Sequence, residues 1–340
     1  MPLAYDHLSA FHRTFQEAHE LSKQLLRREF RVQDPGIAEL MRFILRKQTT
    51  SEYPFIFKYS FCRKESDGAR VRRLAAAVHL LQSSTFVTDD IFDHARLRDG
   101  QPAVHVRYGV DYAIIGAQLM QSVALKVVGE ELERGGFRNK LEVSNLFNQI
   151  VLDLYRGQYL DVANTANLRM TRREYDRIIA LGAGKFFGYV AKCGALLAGK
   201  GPGEVASLER YGYHFGMALF ISDDMVDVSG SPAETGKSYA TDLRNRRVRL
   251  PVILALRMAS RQEAAFLRRF YRKPDSPASE VRRAAAILRR CGALASCENA
   301  ADRHISHALV ALRGLRRSTP VARLRWLAET LMEAQDLEGE

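Results

Sequence analysis

The sequence predicts an all-α fold, a bundle of long helices. Three observations carry this. Apolar residues recur at spacings of three and four along most of the 340 residues. Period-two alternation, the mark of strands, is almost absent. The breaks are short and marked by Gly, Pro or Asp, with no linker rich in Pro, Gly or Ser, so residues 1–340 read as one helical domain, with 1–34 as an N-terminal helical extension.

Residues 7–32 form an amphipathic pattern in which Leu8, Phe11, Phe15, Leu21 and Leu25 recur among charges. Pro35-Gly36 marks a break, and a second helix is expected over 38–47. Residues 48–68 are mixed and aromatic, with a loop near Lys64–Gly68. A helix then runs from about Ala69 to an acidic turn at Asp89. Arg98-Asp99-Gly100-Gln101-Pro102 is a turn by composition. Helices follow over 104–135, with Gly109 and Gly116 as soft points, and over 139–162. Thr171 and Glu174 form a capping box that opens a helix continuing toward Leu197. Three glycines inside it, Gly182, Gly184 and Gly188, each cost about 1 kcal/mol against alanine, which points to close packing or a bend. Residues 202–227 are helical up to a second acidic turn, 230–236 form a loop, and further helices are expected from Pro251, at 261–272, 278–292, 295–315 and 319–337.

Composition narrows the function. Apolar content is 46% and charged content 26%, as in ordinary globular proteins. No uninterrupted apolar run reaches the roughly 18–20 residues of a membrane span, and the N-terminus lacks a signal-peptide pattern. Cys62, Cys193, Cys291 and Cys297 have no metal or disulfide spacing, which suits a cytoplasmic location. The net charge is +12, and only 11 of 51 basic residues are lysine. The excess is spread along the chain without a zinc-finger or ribonucleoprotein pattern, which argues against nucleic acid. Arginine is suited to paired bonds with diphosphate oxygens.

The chemistry lies in two matching clusters. Asp89-Asp90-Ile91-Phe92-Asp93 and Asp223-Asp224-Met225-Val226-Asp227 each end an apolar helical stretch. One such cluster fits a solvated surface turn. Two with the same i, i+1, i+4 pattern place six carboxylates where mutual repulsion demands cations. Hard oxygen ligands favour Mg²⁺, which bridges carboxylates to phosphate oxygens. Metal and arginine together stabilise a departing diphosphate while apolar walls shelter a carbocation.

Arg98, Lys185 and Lys237 are candidates for holding the leaving group. Gln158 and Asp161 share one helix face and line the same cavity in this reading. Asp242 orients Lys237 or a metal-bound water. Phe186, Phe187, Tyr189 and Phe220 either bound an apolar tunnel or simply pack the core.

These residues, in this order, resemble the trans-isoprenyl diphosphate synthases, the polyprenyl synthetase family, over roughly residues 35–300. The resemblance rests on both aspartate motifs, Arg98 with Gly100, Pro102 and His105, Gly157-Gln158 with Asp161, Lys185, Gly236-Lys237, and Asp242-Leu243 leading to Leu250-Pro251. It implies an isoprenoid synthase-type bundle around a deep central cavity, a homodimer, about three Mg²⁺ ions and an allylic diphosphate held by Arg98, Lys185 and Lys237. It also places the tunnel floor at the residues four and five before the first aspartate, Thr85 and Ser84.

The departures concern the second substrate, isopentenyl diphosphate. The family's Gly-Lys-Arg-x-Arg segment is read as Gly68-Ala69-Arg70-Val71-Arg72, which leaves Arg70 and Arg72 as anion-binding candidates. A usual histidine is Gln82, another is Thr88, and the arginine after Arg98 is Asp99. The usual Phe-Gln before the second motif becomes Leu219-Phe220, and the lysine and threonine before Leu-Pro are Arg247 and Arg249. The expectation is therefore a Mg²⁺-dependent prenyltransferase that ionises a C10–C20 allylic diphosphate and passes the prenyl group to an unknown acceptor other than isopentenyl diphosphate, with transient membrane contact for a lipid product. The alternatives are a class I terpene cyclase needing no acceptor and a chain-elongating synthase with a rewired site. A non-catalytic partner subunit ranks last.

Overall fold

The structure, a computed structural model, describes residues 2–30, 34–46, 51–229, 240–273 and 275–338. It is all-α apart from one minimal hairpin. The first half comprises α1 (Pro2–Glu29), α2 (Pro35–Ile44), α3 (Glu52–Phe61), a 3₁₀ turn (Glu65–Val71), α4 (Arg72–Phe92), α5 (Val104–Tyr108), α6 (Val110–Arg134) and α7 (Lys140–Ala163). Then come α8 (Arg172–Ile179), a π-helical turn (Ala180–Gly184), α9 (Lys185–Leu197), α10 (Pro202–Ser229) and α11 (Thr241–Arg244). Helices Leu250–Met258, Arg261–Arg272, Ala278–Arg290, Ala293–Leu312 and Thr319–Glu338 complete the described chain.

The helices pack at the centre because small residues let their backbones approach. A Cβ on Gly212 would run into the carbonyl of Phe187, and one on Gly216 would sit 2.9 Å from that of Ala183. These glycines, one turn apart, seat α10 on α9 and the π turn, an approach no larger residue permits. Gly184 meets Tyr213 and Met217 in the same seam and Gly188 meets Tyr213 and the Glu209 carbonyl, which accounts for two of the three glycines noted in the sequence; a Cβ on Gly182 would meet open space. The extra residue of the π turn breaks α8–α9 into two segments, as single π turns in helices do near functional sites. The capping box is formed as expected: Glu174 N–H donates to Thr171 Oγ1 at 3.2 Å, and Thr171 N–H to Glu174 Oε2 at 2.7 Å.

The N-terminal helix is packed into this body. Ser22 Oγ donates to the Ala76 carbonyl at 3.1 Å, and His19 meets His79 of α4. Arg323, in the last helix, donates to the Asp6 carbonyl at 2.9 Å and pairs with Glu65 at 3.2 Å, so both ends of the chain close on the start of α4.

Three local expectations change. The break expected at Pro35-Gly36 falls just before them, between Glu29 and Pro35, and Pro35 itself opens α2, because a first-turn proline gives up no helical hydrogen bond. The mixed segment 48–68 contains α3, whose aromatic residues Tyr53, Phe55, Phe57, Tyr59 and Phe61 are buried on every side; a helix surrounded by others shows no polar face to read. The Arg98–Pro102 turn is a hairpin that pairs Leu97–Arg98 with Gln101–Pro102, with Asp99 and Gly100 at φ 51° and 71°. By length and composition alone, α6 and the α8–α9 segment are apolar enough to cross a membrane, although the second is mostly buried within the bundle.

Candidate active site

Each acidic turn is a helix end, and both are held by α11 and the segment that follows it. At the end of α4, the exposed carbonyls need donors. Asn245 supplies its side-chain amide to the Asp93 carbonyl, and Arg247 donates to the Phe92 carbonyl at 3.0 Å. At the end of α10, Asp227 accepts the backbone N–H of Thr241 at 2.9 Å and of Asp242 at 3.0 Å, capping α11. The turn between them is fixed by Arg246, at φ 58°, whose guanidinium donates to Leu243 and Lys273 carbonyls and lies 4.1 Å over the Phe270 ring.

Side-chain ion pairs then cross the site in one chain. Arg247 reaches Asp93 at 3.2 Å and Asp161 of α7 at 3.3 Å. Arg249 pairs with the other oxygen of Asp161 at 2.6 Å and lies 3.6 Å from Asp224 and 3.3 Å from Asp242. Asp93, Arg247, Asp161, Arg249 and Asp224 thus link the first acidic turn to the second. Tyr175 also donates to Asp224, at 2.6 Å.

A second crossing point lies at α3. Burial, then Glu52, raises the Tyr53 phenol well above the usual value, and the charges of both Asp89 and Asp223 add to the shift. Its ring stacks on Phe187 at 3.7 Å and lies 4.2 Å from Phe186, so an aromatic wall adjoins the acids.

The carboxylates carry more negative charge than their surroundings balance. Burial, then Asp93, pushes Asp89 up to about 7. Burial and Asp242 raise Asp93, while burial raises Asp224 well above the carboxylate range against the pull of Arg249. Glu52 is likewise pushed up to about 7 by burial, with Asp223 adding to it. Excess charge on hard oxygen donors suits Mg²⁺, so the donor set fits that ion. Among the described residues no three ligating side chains already stand as a cage, because several carboxylates are turned onto arginines.

The sequence-derived candidates fall into groups. Asp89, Asp93, Asp161, Asp224, Asp227 and Asp242 are brought together, and Asp223 lies exposed beside them. Asp90 turns away and is held by Arg98 at 2.5 Å; Arg98 also lies 4.8 Å over Phe86. Asp90, Arg98 and Asp99 line a cavity of about 40 Å³, room for a water or ion but not for a lipid. Lys185 pairs with buried Asp153 at 3.0 Å, which Arg156 shares at 3.2 Å. Gln158 is half-buried on α7, three residues before Asp161. Lys237 and the 230–236 loop lie outside the described residues.

Arg70 and Arg72 are the correction. Arg72 opens α4 and Asp89 lies near its other end, 17 residues on, or about 25 Å along the axis. Both arginines are exposed, and Arg70 lies over Phe61 at the far end of α3. They cannot serve an anion beside the acidic turns. The segment entering α3 stands there instead: Ser51 donates to Gln82, and Glu52 faces Asp223. Sequence reasoning also passed over Tyr53, Tyr175, Asp153 and Asn245. Arg247 and Arg249 were visible only as departures; their closeness to Asp242 and Pro251 was the available signal.

Long helices whose acidic ends meet over an aromatic wall define an isoprenoid synthase-type bundle, and solved structures show the same fold. A polyprenyl synthase from Caulobacter crescentus CB15, complexed with calcium and isoprenyl diphosphate, superposes with TM-score 0.86 at 20% identity, covering 97% of each chain. A geranylgeranyl pyrophosphate synthase from Corynebacterium glutamicum, complexed with isoprenyl diphosphate and magnesium, gives 0.85 at 20% identity, covering 95% of this chain and 99% of that one. In sequence, the geranylgeranyl diphosphate synthase of Mycobacterium tuberculosis is 32% identical over 259 residues, 75% of this chain and 72% of that protein. The polyprenyl synthetase family pattern matches residues 51–288, and the chain belongs to that family.

Proposed function

We propose that this protein is a Mg²⁺-dependent isoprenyl diphosphate synthase that elongates an allylic prenyl diphosphate of C10–C20 with isopentenyl diphosphate. The observation that carries the reading is the ion-pair chain from Asp93 through Arg247, Asp161 and Arg249 to Asp224, which sets two acidic helix ends on one site. The weight between readings differs from the sequence expectation: relatives such as the geranylgeranyl and geranylfarnesyl diphosphate synthases favour elongation over transfer to a different acceptor.

In this reading, Asp89, Asp93, Asp223 and Asp227 would hold Mg²⁺, which would supply positive charge to the diphosphate leaving group of the allylic substrate. Arg98 and Arg247 add cationic donors, and Lys185 joins them by leaving Asp153; Lys237 belongs to the same proposed set. Tyr53, Phe186 and Phe187 exclude water and present ring faces to the allylic cation. The isopentenyl double bond attacks C1 of that cation, and the proton lost from the adduct leaves with the released diphosphate.

The second reading, transfer to another acceptor, keeps one observation in its favour. The groups where α3 meets α4 are the neutral pair Ser51–Gln82 and the acid Glu52, which faces Asp223. A second diphosphate there would meet no attraction from them. Incubation of the purified chain with geranyl, farnesyl or geranylgeranyl diphosphate and Mg²⁺, with and without isopentenyl diphosphate, separates the readings. Longer diphosphates formed only with isopentenyl diphosphate support elongation. Hydrocarbon or alcohol released without it supports cyclisation. Silence in both arms rejects the elongation reading.

The same proposal includes one helical domain over 1–340, a cytoplasmic location and a homodimer. The last is supported by apolar side chains left exposed on α6 and α7, among them Tyr112, Ile115, Leu141, Leu152 and Tyr159. A stripe of this size is normally covered by a partner.

A further inference from the structure

Arg249 carries one positive charge into the centre of the acidic cluster and divides it among three helices. Its Nη1 lies 2.6 Å from Asp161 on α7, and its Nε lies 3.3 Å from Asp242 on α11 and 3.6 Å from Asp224 on α10. All four side chains are largely shielded from water, with the arginine 17% exposed and Asp224 9%. In such surroundings a charge is not screened, so a cation already in place opposes a second one brought beside it. The Nε–H makes no hydrogen bond of its own, so the arginine acts on Asp224 and Asp242 as a nearby charge. The second oxygen of Asp224 is occupied by Tyr175.

We infer that Arg249 is a built-in counter-ion that withdraws Asp161, Asp224 and Asp242 from metal, confining divalent ions to the side of the site formed by Asp89, Asp93, Asp223 and Asp227. This rests on the metal-dependent reading above. It predicts that the chain takes up fewer divalent ions than its carboxylates allow, below the three that the family resemblance implies. Arg249 is thus a positioning residue that sets metal number, and a small neutral side chain at its position opens an additional site.

The test counts Mn²⁺ bound to the full chain, by electron paramagnetic resonance, in the presence of inorganic pyrophosphate. Arg249→Thr is expected to bind one more Mn²⁺ than the native chain, or to bind its weakest ion about tenfold more tightly, the scale of a single lost charge repulsion. Arg249→Lys, which keeps the charge, is expected to bind as the native chain does. Should Arg249→Thr fail to fold, the near-isosteric Asp224→Asn decides: it is expected to leave Mn²⁺ affinity within about twofold, while Asp223→Asn lowers it by about tenfold or more. Mn²⁺ binding that is equal in the native chain and Arg249→Thr, or equal losses in the two asparagine variants, overturns this inference alone. If neither the native chain nor Arg249→Thr binds Mn²⁺, the metal-dependent reading falls and this inference with it.

Discussion

Arg247 touches Asp93 at 3.2 Å and Asp161 at 3.3 Å, and it also donates to the Phe92 carbonyl at 3.0 Å and to Thr165 Oγ1 at 3.1 Å. One buried guanidinium therefore fastens the end of α4 to α7 through two carboxylates and a helix-end carbonyl. Removing it strips Asp93 of its ion-pair partner and leaves Asp161 to Arg249 alone, which costs far more than losing a surface pair would.

Arg247→Ala is therefore expected to lower the stability of the metal-free protein by about 3 kcal/mol, the usual penalty for stranding a buried ionic partner. Chemical denaturation in EDTA measures it. Added Mg²⁺ is expected to recover part of the loss, since it supplies positive charge to the same cluster. A loss below about 0.5 kcal/mol, the range of surface substitutions, would show that Arg247 is not the fastening described.

The raised position of Asp89 gives a pH dependence of definite sign. A carboxyl pushed up to about 7 in the folded chain holds its proton between about 4 and 7, where the unfolded chain has already released it. Folding is thus favoured at low pH and loses this contribution as pH rises to about 7. Asp89→Asn, permanently neutral, is expected to match native stability in EDTA near pH 4 and to exceed it by about 4 kcal/mol near pH 8. Equal pH profiles would contradict it. The same proton must leave when metal binds, so Mg²⁺ affinity is expected to rise with pH over this interval.

Thr85 lies one turn before Asp89, on the same face of α4, and its hydroxyl is tied back to the Gln82 carbonyl at 2.8 Å. Ser84 is buried and bonds to the Leu81 carbonyl at 2.6 Å. Thr85→Phe would place a ring on the path leading from the acids. The expected result is a product shorter by at least one isoprene unit, read by chromatography of the dephosphorylated products. An unchanged product profile would remove this face of α4 from the chain-length path.

Ile115 and Tyr112 are 48% and 61% exposed on α6. If this face joins two copies, Ile115→Asp buries an unpaired charge in the interface and weakens it by several kcal/mol. Light scattering at micromolar concentration is expected to show a dimer for the native chain and monomer for the variant. A native monomer would contradict the assignment of this face.

The helical fold was legible because most helices keep a polar side: the capping box at Thr171 and the helix at 261–272 were placed correctly from pattern alone. The α3 helix was not, because aromatic residues such as Phe55 and Phe57 are buried all round and leave no period to read. At the site, the aspartates announced themselves by repetition. Their counter-charges did not, since Arg247 and Arg249 sit in an arginine-rich chain and gain their role only where α7 crosses the two acidic ends. Arg70 and Arg72 misled for the opposite reason: a matching run of residue types stood near the motif in sequence, yet a full helix length separates them from Asp89.

In the proposed function, two acidic helix ends act together through divalent metal on an allylic diphosphate. Pyrophosphate release from farnesyl diphosphate and isopentenyl diphosphate tests it most directly, compared in Mg²⁺ and EDTA for the native chain, Asp89→Ala and Asp223→Ala. Release is expected from the native chain only with Mg²⁺, with a fall of about 10²-fold or more in each variant while the fold is retained. Release that survives EDTA, or variants as fast as the native chain, would contradict it.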